Sequence, residues 1–96
     1  MSGYVCPVID VQKTGERIKE LREENGMTVK YLQELLGFTS PQAIYKWQWG
    51  QALPDISNLM FLASIWNVSI ENILVLENED VFLVIRNVLR HPSGSR

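Results

Sequence analysis

TVKYLQELLGFTSPQAIYKWQWG, Thr28 to Gly50, is the stretch that decides the fold. Thr28 is a capping residue ahead of a short helix to about Leu36, with Leu32, Leu35 and Leu36 expected to face inward. Gly37 ends that helix, and Phe38-Thr39 makes a turn. Ser40-Pro41 then starts another helix, a capping serine followed by proline at the first helical position. This second helix runs to about Trp49, and Gly50 stops it. Ile44 and Trp47 stand three apart and can share one inward face, so Trp47 reads as a core plug. That rotation leaves Pro41, Gln42, Tyr45, Lys46 and Trp49 outward or at the rim.

Upstream, residues 1–10 read as an extended arm that ends in Asp10, a cap for a helix from Val11 to about Asn25. Val11, Ile18 and Leu21 share its inner face, and its charged residues form a solvated face with an attracting pair at Glu16 and Lys19. Downstream, the Gln51–Pro54 loop leads to Asp55, which caps a helix from Ile56 to Trp66. Leu59, Met60, Leu62, Ala63 and Trp66 give this helix a broad apolar face. Ser69 caps a fifth helix with Ile70, Ile73 and Leu74 inward. Glu77 to Asp80 is an acidic hinge, and Val81, Phe82, Val84, Ile85, Val88 and Leu89 then repeat at helical spacing before His91-Pro92. The expected architecture is all-α: an arm over 1–10, a five-helix domain over 11–76, and an additional C-terminal helix and tail over 77–96. The C-terminal stripe can fold back on its own domain or pack against a second copy. The dimer is favoured, because the five-helix unit is complete without it.

The chain has 96 residues, which suits one domain with one core. Apolar residues make up 46%, enough for a packed interior. A formal charge of −2 supplies no overall basic bias toward nucleic acid, so any such binding must rest on local charge. One cysteine, Cys6, permits no intrachain disulfide and suggests a reducing, cytoplasmic setting. The start lacks signal-peptide features, and the uncharged run from Ile56 to Ile70 is too short and polar to span a bilayer. No membrane partner is expected. His91 has no second histidine or cysteine nearby, and Cys6 has no base close in sequence. Neither a metal site nor a catalytic thiol is expected, no cofactor is implied, and no catalytic motif is present. The expectation is a non-enzyme.

Two short helices joined by a tight turn make the pattern of a helix-turn-helix, whose second helix enters the DNA major groove. A glutamine near that helix's N-terminus can bond adenine N6 and N7 together, and the positive helix end favours phosphate. LREENGMT (21–28), LLGF (35–38), IYKW (44–47), the loop around Pro54 and WNVSIENIL (66–74) follow in an order and spacing similar to the Cro/phage-repressor type of helix-turn-helix protein, the XRE family. The resemblance covers about Thr14 to Leu76. It implies a five-helix, repressor-like domain that acts as a dimer on operator half-sites in double-stranded DNA and regulates transcription. Carried over by position, it puts Pro41, Gln42, Ala43 and Lys46 at the reading face with Tyr45 beside them. Gln42 and Lys46 are the main candidates for base readout. Pro41 and Ala43 offer only apolar contacts, such as a thymine methyl, and Tyr45 a phosphate contact. Thr28 and Lys30 would hold the backbone, and Ser40 opens the reading helix.

The chain also departs from that pattern. Val29 stands where glutamine often follows the capping threonine, Gln33 replaces a small alanine, and Phe38 lengthens the turn by one residue. Trp49 replaces a polar residue, and the loop after Gly50 carries no lysine or arginine. Trp49 can pack on the loop at Leu53 or stand exposed toward DNA or a partner. Arg22 matches a buried arginine of the family, whose acidic partner is here Gln48, so a hydrogen bond would replace an ion pair. These departures, with the acidic total, leave an alternative: a protein-interaction module that keeps the fold and binds a protein partner through the Tyr45–Trp49 surface and the C-terminal segment.

Overall fold

In the computed structural model the residues described are 8–77. The expected C-terminal helix, Cys6 and His91 lie outside them, as does the arm before Val8. Five helices follow one another: α1 (Val11–Glu24), α2 (Val29–Leu36), α3 (Gln42–Gln48), α4 (Ile56–Trp66) and α5 (Ile70–Ile73).

Local chemistry sets most of their ends. The Asp10 carboxylate accepts the Lys13 N–H at 2.9 Å, and Thr28 Oγ1 accepts that of Tyr31 at 3.0 Å. Asp55 accepts from Asn58 at 2.8 Å and Ser69 from Asn72 at 3.2 Å. Each such cap stabilises its helix by about 1 kcal/mol. Gly37 closes α2 in the left-handed region at φ 75°, and Asn67 closes α4 at φ 55°. At α3 the expected cap shifts by one residue. Pro41 takes the capping position with no side-chain bond, while Ser40 Oγ accepts from Gln42 N at a long 3.4 Å. With φ −84° and ψ 4°, Pro41 is not yet in the helix, so Ser40 lies one residue too far out to cap it well.

The core gathers Ile18 and Leu21 of α1, Leu32 of α2, Ile44 and Trp47 of α3, Leu59, Leu62 and Trp66 of α4, and Ile73 of α5. Three expected inward residues are displaced. Val11 is only half-buried. Leu35 is 37% exposed and Met60 60% exposed. At about 100° per residue, the buried arc of α2 runs through Leu32, Val29, Leu36 and Gln33, which puts Leu35 beyond its edge. On α4 the arc is centred on Trp66 and Leu59, and Met60 lies about 100° round from Leu59. Both helices carry more apolar residues than their buried arcs hold. On the solvated face of α1 the ion pair is Arg17–Glu20 at 3.1 Å, and the expected partners Glu16 and Lys19 are both exposed. Arg17 Nε also donates to the Asn72 carbonyl at 2.8 Å, tying α1 to α5.

Two long-range features had no counterpart in the sequence pattern. Residues 8–10 lie antiparallel to 75–77 through an Ile9–Leu76 bridge, with Asp10 N–H donating to Val75 O at 2.7 Å and Glu77 N–H to Val8 O at 2.8 Å. The fully buried Thr14 hydroxyl accepts the Val75 N–H at 2.9 Å. The chain ends of the domain are thereby fastened to α1. Gly15 and Gly50 bring α1 and α3 together. A Cβ on Gly15 would run into the Trp47 carbonyl oxygen, and one on Gly50, where φ is +74°, would lie 2.6 Å from Gln12 Cγ.

Candidate nucleic-acid interface

The turn between α2 and α3 is held from both sides of Gly37. Gly37 N–H donates to Glu34 O and Phe38 N–H to Gln33 O, both at 3.1 Å. The Gln33 side chain, 8% exposed, bends over the same turn and donates from Nε2 to the Phe38 carbonyl at 3.2 Å. The Phe38 ring meets Trp47 edge-on with centroids 5.9 Å apart. The turn is thus a closed unit: Phe38 packs on the core tryptophan, and the amide of Gln33 satisfies the Phe38 carbonyl.

The C-terminal end of α3 is anchored on α1. Arg22 Nε donates to Gln48 Oε1 at 2.9 Å and its Nη1 to the Met27 carbonyl at 2.7 Å. Glu23 stands 3.8 Å from Nη2, and the arginine side chain is 11% exposed. The expected hydrogen bond in place of an ion pair is therefore present. Met27 is itself held from the other side, where Trp66 Nε1 donates to its sulfur at 3.3 Å.

With Ile44 and Trp47 buried, the rotation of α3 is settled. Gln42, Tyr45, Lys46 and Trp49, spaced i, i+3, i+4 and i+7, lie within one outward arc of about 100°. Gln42, Lys46 and Trp49 are exposed and Tyr45 is half-buried. Trp49 is 61% exposed and stacks on Tyr45, centroids 5.5 Å apart and planes 20° from parallel. Of the two expected placements for Trp49, the exposed one is observed. Pro41 and Ala43 flank the arc on either side, both half-buried, and Ala43 packs against the core. Ser40 is exposed at the head of α3, beside an open concavity of about 470 Å³ between the turn and Gln42, Ala43 and Lys46. Thr28 and Lys30 are exposed at the N-terminus of α2, where the Thr28 oxygen is used in the cap and its O–H can still donate. The sequence reading missed the Tyr45–Trp49 stack, although an aromatic pair at i, i+4 signals it.

Positive charge is confined to one part of the domain. Lys46 is its last lysine or arginine before Arg86. Among the described residues no group of His, Cys, Asp and Glu is placed to hold a metal ion, and no helix is long and apolar enough to cross a membrane.

Five short helices, with α2 and α3 set by a tight turn and α3 presenting a polar and aromatic arc, define a repressor-like helix-turn-helix domain. The sequence model described as Helix-turn-helix matches residues 18–73, more than half of the chain, and the protein belongs to that family, in its Cro/phage-repressor (XRE) branch. Among solved structures the chain is similar to the restriction-modification controller protein C.AhdI from Aeromonas hydrophila. The TM-score is 0.59 and the identity 25%, over 67% of this chain and 96% of that one. It shares its fold with the DNA-binding domain of BldD, at 15% identity and TM-score 0.59, covering 69% of this chain and 94% of that one. The S. venezulae BldD DNA-binding domain gives the same TM-score and identity, over 69% and 97%. Among curated proteins none matches significantly. Family and fold are those of DNA-binding regulators, and that is the class of this protein.

Proposed function

We propose that the protein is a sequence-specific transcriptional regulator of the repressor-like kind, a non-enzyme that places α3 in the major groove of double-stranded DNA in the cytoplasm. The observation that carries this reading is the arc of Gln42, Tyr45, Lys46 and Trp49, turned away from the core by Ile44 and Trp47. Gln42 and Lys46 read base edges, and Pro41 and Ala43 supply apolar contact to a thymine methyl. Ser40, Thr28 and Lys30 hold phosphates at the N-termini of α3 and α2, and Tyr45 and Trp49 meet the backbone further along. The C-terminal segment 77–96 pairs two copies, so that two α3 helices address two half-sites. The similarity to a controller protein supports a regulatory role. The comparisons lend no support to the alternative, a protein-interaction module without DNA binding.

The test is selection from a random duplex pool with full-length protein, beside the Gln42→Ala/Lys46→Ala double variant. An enriched, twofold-symmetric site that the double variant loses supports the reading. A site that survives the double variant removes α3 as the reading element. Absence of enrichment even at low salt refutes DNA recognition. Deleting residues 79–96 should halve the solution mass, and an unchanged mass would remove the dimer role.

A further inference from the structure

After Lys46 the sequence adds no further positive charge to the domain: residues 47–77 contain no lysine or arginine. Yet α3 carries the reading face onward in that direction. Seven residues separate Gln42 from Trp49, which is about 10 Å along the helix axis. The major groove is about 12 Å wide. With Gln42 at a base edge and α3 entering the groove at an angle, Trp49 reaches the phosphodiester wall. Tyr45 and Trp49 are stacked on each other there, 5.5 Å apart. Among the described residues neither the tyrosine O–H nor the indole N–H has a protein acceptor. Each of the two stacked rings thus carries one neutral donor, and Trp49 is 61% exposed.

We infer that the Tyr45–Trp49 stack is a charge-free clamp on the DNA phosphodiester backbone, in which Trp49 both donates its N–H and positions the Tyr45 hydroxyl. The inference rests on the DNA-binding reading and adds its chemistry. A cation that neutralises a phosphate releases counterions and adds about −0.9 to the slope of log K against log salt. A neutral donor binds phosphate without that release. The clamp therefore contributes affinity that salt does not erode, and an acidic protein gains backbone contact without more lysine.

The experiment is titration of the selected duplex with full-length protein at four salt concentrations. Wild type is compared with Trp49→Phe, Trp49→Ala, Tyr45→Phe, the Tyr45→Phe/Trp49→Ala pair and Lys46→Gln. Trp49→Phe and Tyr45→Phe each keep a ring and lose a donor, and each should weaken binding about fivefold at every salt concentration. Their lines should run parallel to wild type, whereas Lys46→Gln should flatten the slope. The loss from Tyr45→Phe should shrink in the Trp49→Ala background, because the hydroxyl is no longer held in place. Unchanged affinity for both single-donor variants overturns the clamp. A slope altered by them overturns its charge-free character, and full additivity overturns the positioning role of Trp49. If the wild type itself shows no duplex binding, the DNA reading has failed, and that outcome is separate from all of these.

Discussion

Replacing Gly15 by alanine should destabilise the domain, although helix propensity alone predicts a gain. Gly15 lies inside α1, where alanine is favoured over glycine by about 1 kcal/mol. In the folded domain its missing Cβ is where α3 comes closest. A methyl there would overlap the Trp47 carbonyl oxygen and sit 3.0 Å from the carbonyl oxygen of Gln48. Both obstacles are backbone, so no side chain can swing aside. The helices must separate, which also loosens Trp47 in the core and the Arg22–Gln48 bond 2.9 Å long. Overpacking typically costs about 1–3 kcal/mol, and a backbone obstacle puts the cost at or above the top of that range. After the propensity gain, a net loss of about 2 kcal/mol is expected. For a domain of this size that lowers Tm by about 8–16 °C. Thermal unfolding followed by far-UV circular dichroism measures it. Gly26→Ala is the contrast: nothing lies within 4 Å of its Cβ position, so any loss there comes from the left-handed backbone at φ +67° alone, with no steric obstacle. If Gly15→Ala has an unchanged or raised Tm, the close approach of α1 and α3 is wrong.

Three further substitutions test the site from other directions. Gln48→Glu turns a neutral acceptor for Arg22 into a carboxylate and should add about 1 kcal/mol at neutral pH, from ion pairing with a largely buried guanidinium. The guanidinium holds the new carboxylate below its unfolded pKa, so the gain is full above about pH 5 and fades as pH falls through the folded pKa. A pH-independent difference in Tm would contradict the contact. Gln33→Ala strands the Phe38 carbonyl and should cost about 1–2 kcal/mol in urea unfolding, while a neutral result would mean water replaces the amide without loss. Lys46→Glu should abolish duplex binding while leaving Tm within about 0.5 kcal/mol equivalent of wild type, because the side chain is exposed. Retained duplex affinity would remove Lys46 from the interface.

The parts of the molecule that were legible in sequence are those decided within a few residues. Asp10, Thr28, Asp55 and Ser69 each bond an N–H three positions on, so the cap and its helix start appear together in the sequence. Trp47 and Ile44 settle the rotation of α3, and the outward set Gln42, Lys46 and Trp49 follows from that rotation alone. What escaped depends on contacts between distant residues. Thr14 and Val75 are 61 positions apart, and the antiparallel pairing of 8–10 with 75–77 has no local signature. The closeness of Gly15 to Trp47 is tertiary for the same reason. Leu35 and Met60 misled because an apolar stripe in sequence was wider than the arc the core had room to cover.

Three departures from the family pattern look, one at a time, like losses of DNA-binding character. Two of them are coupled in the structure, and the third keeps its contact with a neutral partner. By the resemblance, Gln33 stands where a small alanine is expected and Phe38 where a shorter turn is expected. Together they fit, because the amide of one bonds the carbonyl of the other while the Phe38 ring packs on Trp47. Likewise Gln48 still receives the Arg22 hydrogen bond, so α3 remains anchored to α1 with a neutral partner. Each change preserves the placement of α3 and alters only the means by which it is held. Trp49 alone of the site departures faces outward, and it brings a stacked partner with it. The departures thus separate into two kinds: inward ones whose contacts are made good locally and keep α3 in position, and an outward one that alters the exposed face of this helix.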